Sequence, residues 1–307
     1  MDNMNNMDKT SSKRTVIKGI IFTLIGGISW GFCGTCGEYL FKYKGYDSKP
    51  LACIRLILAG FILILISLVK NKKAAFSIFK DKKDTAILAV FGIFGLLVSQ
   101  FTYLTAISYS NSGTATVLQY VGLVLIMIVV CIKELRLPHL NEFFALLCAI
   151  GGIFLVATGG DPSSMIISKK CLFWGLFAAV GLMLYSVIPV GILKRYDAIT
   201  VSGFGMLLGG IVLSLIIRPW EYHFYIDIET VLCLVGVIIV GTVVAYSLYL
   251  FGVTCIGPVK AGMIAAIEPA AAALFSALWI GTEFTAVDLI GFVLIISTVF
   301  IINIHKK

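Results

Sequence analysis

Gln100-Phe-Thr-Tyr-Leu-Thr-Ala-Ile-Ser108 is an apolar stretch that returns later in the chain as Tyr246-Ser-Leu-Tyr-Leu-Phe-Gly-Val-Thr254. When the two stretches are aligned at a spacing of 146 residues, Tyr103-Leu104 falls on the identical pair Tyr249-Leu250. Each stretch lies inside a long apolar block. The chain is therefore predicted to contain two related halves, each built around one copy of this block.

Apolar blocks fill most of the 307 residues, of which 59% are hydrophobic and 13% charged. A soluble domain carries roughly 25% charged residues. A helix needs about 20 apolar residues to cross a bilayer, and it satisfies its own backbone hydrogen bonds there. We therefore predict an all-α membrane protein with ten transmembrane helices, at residues 17–40, 50–69, 85–109, 112–132, 141–158, 171–192, 198–217, 230–251, 258–280 and 285–304.

Basic residues are distributed unevenly between the two sets of loops that ten spans create. If the N-terminus is cytoplasmic, 17 of the 24 Lys and Arg residues fall in or next to cytoplasmic segments and 6 in external loops, with Arg55 inside a span. Lys and Arg accumulate in cytoplasmic loops of membrane proteins. The bias predicts that both termini are cytoplasmic.

The spacing between the repeated stretches equals about five spans. Because five is odd, a second copy of a five-span unit enters the membrane from the opposite side. We therefore predict a 5+5 inverted repeat, with a cytoplasmic tail at 1–16, a first five-helix repeat at 17–158 and a second at 171–304. Inverted repeats are typical of secondary transporters, which bind solute near the middle of the membrane.

Several different short motifs follow one another in order along the ten spans, and together they indicate a family resemblance. These motifs are Ser29-Trp30-Gly31, Arg55-Leu56 with Ala59-Gly60, Ser112-Gly113-Thr114-Ala115 with Leu118-Gln119-Tyr120, Ile267-Glu268-Pro269, and Glu283-Phe284 with Ile290-Gly291.

The chain resembles the EamA-type transporters of the drug/metabolite transporter superfamily over about residues 17–304. The resemblance implies a 5+5 inverted fold, a central cavity, and transport of metabolites such as amino acids. One position departs from the family pattern, since Leu123 stands where many members have a proline that matches Pro269. The resemblance therefore leaves open whether the fourth span is broken as the ninth is.

Glu268 and Pro269 lie near the middle of the ninth predicted span. A carboxyl group costs roughly 3 kcal/mol there and usually faces a cavity or a partner. Glu268 is thus a candidate site for proton coupling or cation binding, with plain cavity lining or helix–helix hydrogen bonding as alternatives. Pro269 should free the carbonyl of residue 265, which gives either a hinge for alternating access or a static kink.

Arg55 lies a few residues inside the second span. Its planar donor group suits a substrate carboxylate. Alternatively, it extends toward the membrane surface or pairs with Glu38 near the end of the first span, and the sequence favours this pair.

Uncharged polar and aromatic residues at repeat-related positions predict the lining of a solute cavity, because an amphiphilic solute needs such groups. Ordinary helix packing is the alternative for each residue singly. The predicted cavity residues are Trp30, Gln100, Tyr103, Thr116, Gln119, Tyr185, Tyr246 and Tyr249.

No catalytic constellation, phosphate-binding loop or metal motif is recognisable, so we predict neither an enzyme nor a cofactor or metal requirement. Cys33 and Cys36 have metal-ligand spacing but no second motif to complete a site. The net charge of +8 is explained by the loops, so a nucleic-acid partner is not expected. Six lysines in the loop from Lys70 to Asp84 predict contact with anionic membrane lipid.

The sequence thus favours a secondary transporter of the inner or plasma membrane that exports a small metabolite, amino-acid-like or amphiphilic, by alternating access. Protons are a candidate coupling partner. The alternative is a receptor or assembly scaffold that uses the same fold without transport. The oligomeric state is left open.

Overall fold

The computed structural model describes residues 2–161, 166–256 and 258–303, and within these ranges it is helical apart from short connections, without strands. Nine helices in the described part of the chain are long and apolar enough to cross a membrane, and a tenth, shorter apolar helix follows them. The ten are α1 (Asp2–Tyr43), α2 (Ser48–Ala75), α3 (Lys82–Ser108), α4 (Ser112–Lys133), α5 (Leu140–Thr158), α6 (Lys169–Val187), α7 (Ala198–Ile217), α8 (Ile228–Ile256), α9 (Pro258–Ala265, Glu268–Phe275 and Ser276–Ile280) and α10 (Ala286–Asn303).

Each predicted span coincides with one of these helices, which confirms the all-α, ten-helix prediction. Residue 304, the last of the predicted tenth span and second repeat, lies outside the described residues. The predicted tail at 1–16 forms no separate element where it is described, because α1 is continuous from Asp2.

Polar residues fix where many of the helices begin. Asp47 accepts a hydrogen bond from the backbone nitrogen of Lys49 at 2.8 Å at the start of α2. Asn111 accepts one from Thr114 at 2.8 Å at the start of α4. Such caps satisfy backbone donors that the first turn leaves free. They mark the loop boundaries that hydropathy alone places only roughly.

The helices pack in a pattern that relates the first five to the second five. α2 packs on α7, α4 on α9 and α5 on α10, so each of these helices meets its own counterpart. The pairing of α1 with α8 is matched by that of α6 with α3, and α1 with α9 by α6 with α4. This is the pattern that a twofold relation between the halves would give.

Glycines allow the closest helix approaches in the bundle. A Cβ atom added at Gly60 of α2 would lie 2.5 Å from the backbone nitrogen of Leu207 in α7. One added at Gly31 of α1 would lie 2.7 Å from the nitrogen of Ala272 in α9. Small residues at such contacts are the common means of packing helices in a bilayer. These contacts bring α1 and α9 together beside the centre of the molecule.

Four central helices depart from regular α geometry. Wider π-helical turns occupy Phe91–Leu97 in α3 and Gly236–Val244 in α8. These two segments nearly coincide at the repeat spacing of 146 residues. α9 is interrupted at residues 266–267, and α4 at Val121, although α4 has Leu123 in place of a proline. Such irregular turns often occur at functional sites.

Candidate functional site

A cavity of about 180 Å³ lies at the centre of the bundle, lined by α1, α2 and α6, by α4 and α9 beside their interruptions, and by α3 and α8 just after their π-helical turns. Pockets for drug-sized ligands are typically about 300–1,000 Å³, so this one fits only a small solute in the present conformation. Its lining combines aromatic rings, amides and hydroxyls with one arginine and one carboxyl group, from Arg55 and Glu268.

The structure places seven of the eight predicted cavity residues on the cavity wall, together with Arg55 and Glu268. Thr116 is the exception. It is fully buried behind the wall, where its hydroxyl lies 2.9 Å from that of Tyr103 and donates to the carbonyl of Ser112 at 2.7 Å. The seven on the wall are Trp30, Gln100, Tyr103, Gln119, Tyr185, Tyr246 and Tyr249.

Arg55 reaches the cavity from α2 with part of its guanidinium unpaired. Its Nε donates to the hydroxyl of Thr242 at 3.0 Å, and that hydroxyl donates to the carbonyl of Val237 at 2.9 Å. Arg55 is only 4% exposed, and its Nη1 has no hydrogen-bond partner among the described residues. A buried unpaired donor of this kind is costly, and an anionic group in the cavity would satisfy it.

The prediction that Arg55 pairs with Glu38 is wrong. The Glu38 carboxylate accepts hydrogen bonds from the backbone nitrogen and hydroxyl of Ser112, both at 2.8 Å. It also accepts from Ser276 at 2.8 Å and from Thr282 at 3.0 Å. The two residues lie at a similar depth, but Glu38 is directed toward α4 and α9 and Arg55 toward α8 and the cavity. The guanidinium therefore stays available to a solute.

Glu268 begins the second segment of α9, directly after the interruption. The hydroxyl of Tyr120 lies 3.1 Å from the Glu268 carboxylate and 3.1 Å from the carbonyl of Ala265. Pro269 has no backbone N–H to offer that carbonyl, so Tyr120 provides a replacement donor. The carbonyl predicted to be freed by Pro269 is thus found, with a partner from α4. Whether Pro269 also acts as a hinge stays a prediction.

Aromatic rings form one wall of the cavity. The indole of Trp30 meets the rings of Tyr246 at 5.4 Å and Tyr249 at 5.2 Å between centroids. These rings present both an apolar face and, in the tyrosines, a hydroxyl group. Faces of this kind bind apolar parts of a solute and attract cations.

Several wall residues were not predicted from the sequence. Tyr120 was part of a recognised motif, but its position beside Glu268 requires knowing how α4 faces α9. Serine, glycine and alanine are too common in membrane helices to stand out in a sequence, and the wall contains Ser99, Ser186, Gly262 and Ala265. Leu123, which stands where many family members have a proline, lines the cavity together with Leu182.

The cavity thus offers a donor for an anion, a carboxyl group for a cation or proton, and an aromatic surface between helices. Gln100 adds a buried side-chain oxygen without a partner in the described part of the chain. No catalytic set of side chains accompanies these groups among the described cavity residues. The arrangement can bind a small solute that carries both polar and apolar parts.

Comparison with known proteins gives consistent results over nearly the whole chain. The model of the EamA-like transporter family matches residues 17–158 and 169–304. The uncharacterized inner membrane transporter YicL of Salmonella typhimurium is 34% identical over 290 residues, covering 94% of this chain and 96% of the relative. The uncharacterized transporter YdfC of Bacillus subtilis is 22% identical over 258 residues, covering 83% and 82%.

A solved crystal structure of another protein has the same fold, with a TM-score of 0.59 at 16% identity over 95% of this chain and 96% of that one. The family match extends across both sets of five helices that surround the cavity. The protein is a membrane transporter, and the chain belongs to the EamA-like transporter family.

Proposed function

We propose that the protein is a secondary transporter of the inner membrane that exports a small zwitterionic metabolite, such as an amino acid, through the central cavity by alternating access. The unpaired Nη1 of Arg55 carries the proposal. A buried cationic donor without a partner suits the carboxylate of a solute. Glu268, in the same cavity, suits the amino group.

The aromatic wall between these charges suits the side chain of such a solute. Trp30 and Tyr249 offer ring faces, and the small cavity volume limits the solute's size. A solute with one charge alone would leave either Arg55 or Glu268 without a counter-charge in a largely buried site, which is costly. The charge pattern therefore favours a zwitterion over a simple anion or cation.

Alternating access is supported by the twofold pairing of the helices and by the interruptions in α4 and α9 beside the cavity. In transporters built from inverted repeats, broken helices surround the binding site and the halves rock around it. Energy would come from an ion or solute gradient, with Glu268 as the group that takes up a proton. The Lys and Arg bias supports a cytoplasmic position for both termini.

Flux measurements in proteoliposomes test the proposal with three matched solutes: a neutral amino acid, its decarboxylated amine and its deaminated acid. We expect protein-dependent flux of the amino acid, faster from the side of the termini, and at least about tenfold slower flux of both analogues. An imposed pH gradient should change the rate of amino-acid flux. Equal flux of the three solutes, or no flux by folded and inserted protein over a broad amino-acid panel, would contradict the proposal.

A further inference from the structure

Two equivalent ion-pair clusters lie at the opposite ends of the bundle. At one end, Lys44 Nζ lies 2.5 Å from Asp227 and 2.6 Å from Glu229, at the start of α8. At the other end, Arg195 Nη2 lies 2.5 Å from Asp84 of α3. Tyrosine hydroxyls complete both clusters at 2.8 Å, from Tyr39 to Glu229 and from Tyr196 to Asp84.

The two clusters occupy corresponding places in the halves, because one joins the loop after α1 to α8 and the other joins the loop after α6 to α3. Asp81, the cap of α3, precedes Asp227, the cap of α8, by 146 residues. Both clusters are formed in one and the same conformation. Neither of them, therefore, distinguishes an open end from a closed one.

The hydrogen bonds of Glu38 lack such a counterpart. Glu38 is 3% exposed, and its carboxylate joins α1 to Ser112 at the start of α4, to Ser276 in α9, and to Thr282 in the loop after α9. Residues 184–189, which follow Glu38 by 146 to 151 positions, contain no acidic residue. Pro258 stands 146 positions after Ser112. Among the residues that the structure describes, this carboxylate cluster is found at the Glu38 end alone.

Hydrogen bonds connect the Glu38 cluster to the cavity wall. Ser112 donates to Glu38 through its hydroxyl, and its carbonyl accepts from the hydroxyl of Thr116 at 2.7 Å. The Thr116 hydroxyl in turn lies 2.9 Å from that of Tyr103, which lines the cavity. A solute that displaces Tyr103 would therefore disturb the first turn of α4 at the point where Glu38 holds it.

We propose that Glu38 is the lock that closes one end of the cavity, by holding α1, the start of α4 and the end of α9 together. The lock rests on the alternating-access mechanism of the proposed function and adds the group that closes one end. A carboxylate buried among three hydroxyls and a backbone N–H is stable only while these donors converge on it. Opening this end requires α9 to leave with Ser276, so the charge keeps the end shut until solute binding shifts Tyr103 and Thr116. The basic-residue bias places this end outside.

Thiol labelling measures the lock directly. In a variant whose eight native cysteines are replaced, a single reporter cysteine is introduced at Gln119, on the cavity wall. A membrane-impermeant thiol reagent is applied separately to each side of sealed vesicles. Glu38→Gln keeps the size of the side chain and removes the charge, so we expect labelling from the Glu38 end to become about tenfold faster or more.

Ser276→Ala is the milder second variant, because it removes one donor from α9 and leaves the carboxylate in place. We expect it to increase labelling from the same side by a smaller factor. Asp227→Asn is the matched control, since it removes a carboxylate of the ion-pair cluster at the same end of the bundle and should leave the labelling rate unchanged.

Unchanged labelling in folded Glu38→Gln and Ser276→Ala protein would overturn the lock, as would an equal increase in Asp227→Asn. The assay contains no solute, so its result is separate from that of the flux assay. Faster labelling in Glu38→Gln together with absence of flux in the native protein would support the lock and contradict the proposed substrate.

Discussion

Replacing Arg55 by Gln tests the solute site most directly. The substitution removes the charge and the unpaired Nη1 donor, and it leaves a side chain that still reaches toward Thr242. A hydrogen bond to a charged group contributes about 1.5–3 kcal/mol. Because about 1.4 kcal/mol is a tenfold change in affinity, we expect solutes with a carboxylate to bind roughly 10- to 150-fold more weakly. Arg55→Lys should also bind weakly, since its ammonium lacks the planar donor fork.

Equilibrium binding of a radiolabelled amino acid and of its decarboxylated amine to purified protein gives the measurement. The amine has no carboxylate, so its affinity should not fall in Arg55→Gln. Arg218→Gln is the matched control, because Arg218 is 62% exposed in a surface pair with Glu221 and should affect neither solute. Native affinity for the amino acid in Arg55→Gln would refute the assignment, and an equal loss for both solutes would show that Arg55 supports the fold instead.

Three further predictions follow from the contacts around the cavity and at the surface. Tyr120→Phe should lower the free energy of unfolding by about 1–2 kcal/mol, because the Ala265 carbonyl and Glu268 lose their hydroxyl donor, and thermal unfolding in detergent checks this. Glu268→Gln should weaken amino-acid binding about tenfold or more, because the amino group of the solute loses its counter-charge, and flux in proteoliposomes should lose its response to an imposed pH gradient. Lys44 holds the pKa of Asp227 at about 2, below its usual value near 3.9, so the pair stabilises the fold above about pH 4. The native protein should therefore exceed Lys44→Gln in free energy of unfolding by less and less as the pH falls from about 4 to 2, and thermal unfolding across that range measures the difference.

The ten helices and the repeat could be predicted from the sequence because each depends only on the order of residues along the chain. The ten apolar blocks became ten helices, since a long apolar segment has few other stable forms in a bilayer. The repeat at 146 residues aligns Tyr103 with Tyr249, and both side chains line the cavity. A set of polar residues at repeat-related places was enough to find most of the wall.

The direction in which a side chain extends from its helix could not be predicted from the sequence. Arg55 and Glu38 lie at similar depths on helices that are consecutive in the chain, so depth alone made a pair plausible. The direction of each side chain depends on how its helix is rotated, and that rotation is set by contacts such as Gly31 against Ala272. Thr116 and Gln119 are three residues apart on α4, yet only Gln119 lines the cavity, and Thr116 is fully buried behind the wall.

The interruption of α4 shows the limit of arguments from one residue type. Leu123 replaces a proline, which left a break in α4 open, yet α4 is interrupted at Val121. The adjacent Gly122 packs closely against α6, since an added Cβ there would lie 2.5 Å from the carbonyl oxygen of Ala179. The interruption in α4 thus lies at a close helix contact and occurs without a proline.

The helix packing is similar in the two halves, whereas the charged side chains differ between them, and the two features have different consequences for transport. Helix pairing is shared between the halves, so under the proposed alternating access the two conformations would open opposite ends of the cavity at similar cost. The charged groups are not shared: Arg55 of α2 aligns with Gly205 of α7 at a spacing of 150 residues, and Glu268 aligns with Gly122 at a spacing of 146. A solute with two charges therefore meets one arginine from α2 and one carboxyl from α9, whichever end is open. Because Glu38 stabilises only one of the two closed ends, the empty protein should rest with that end shut, and bound solute must supply the free energy that opens it.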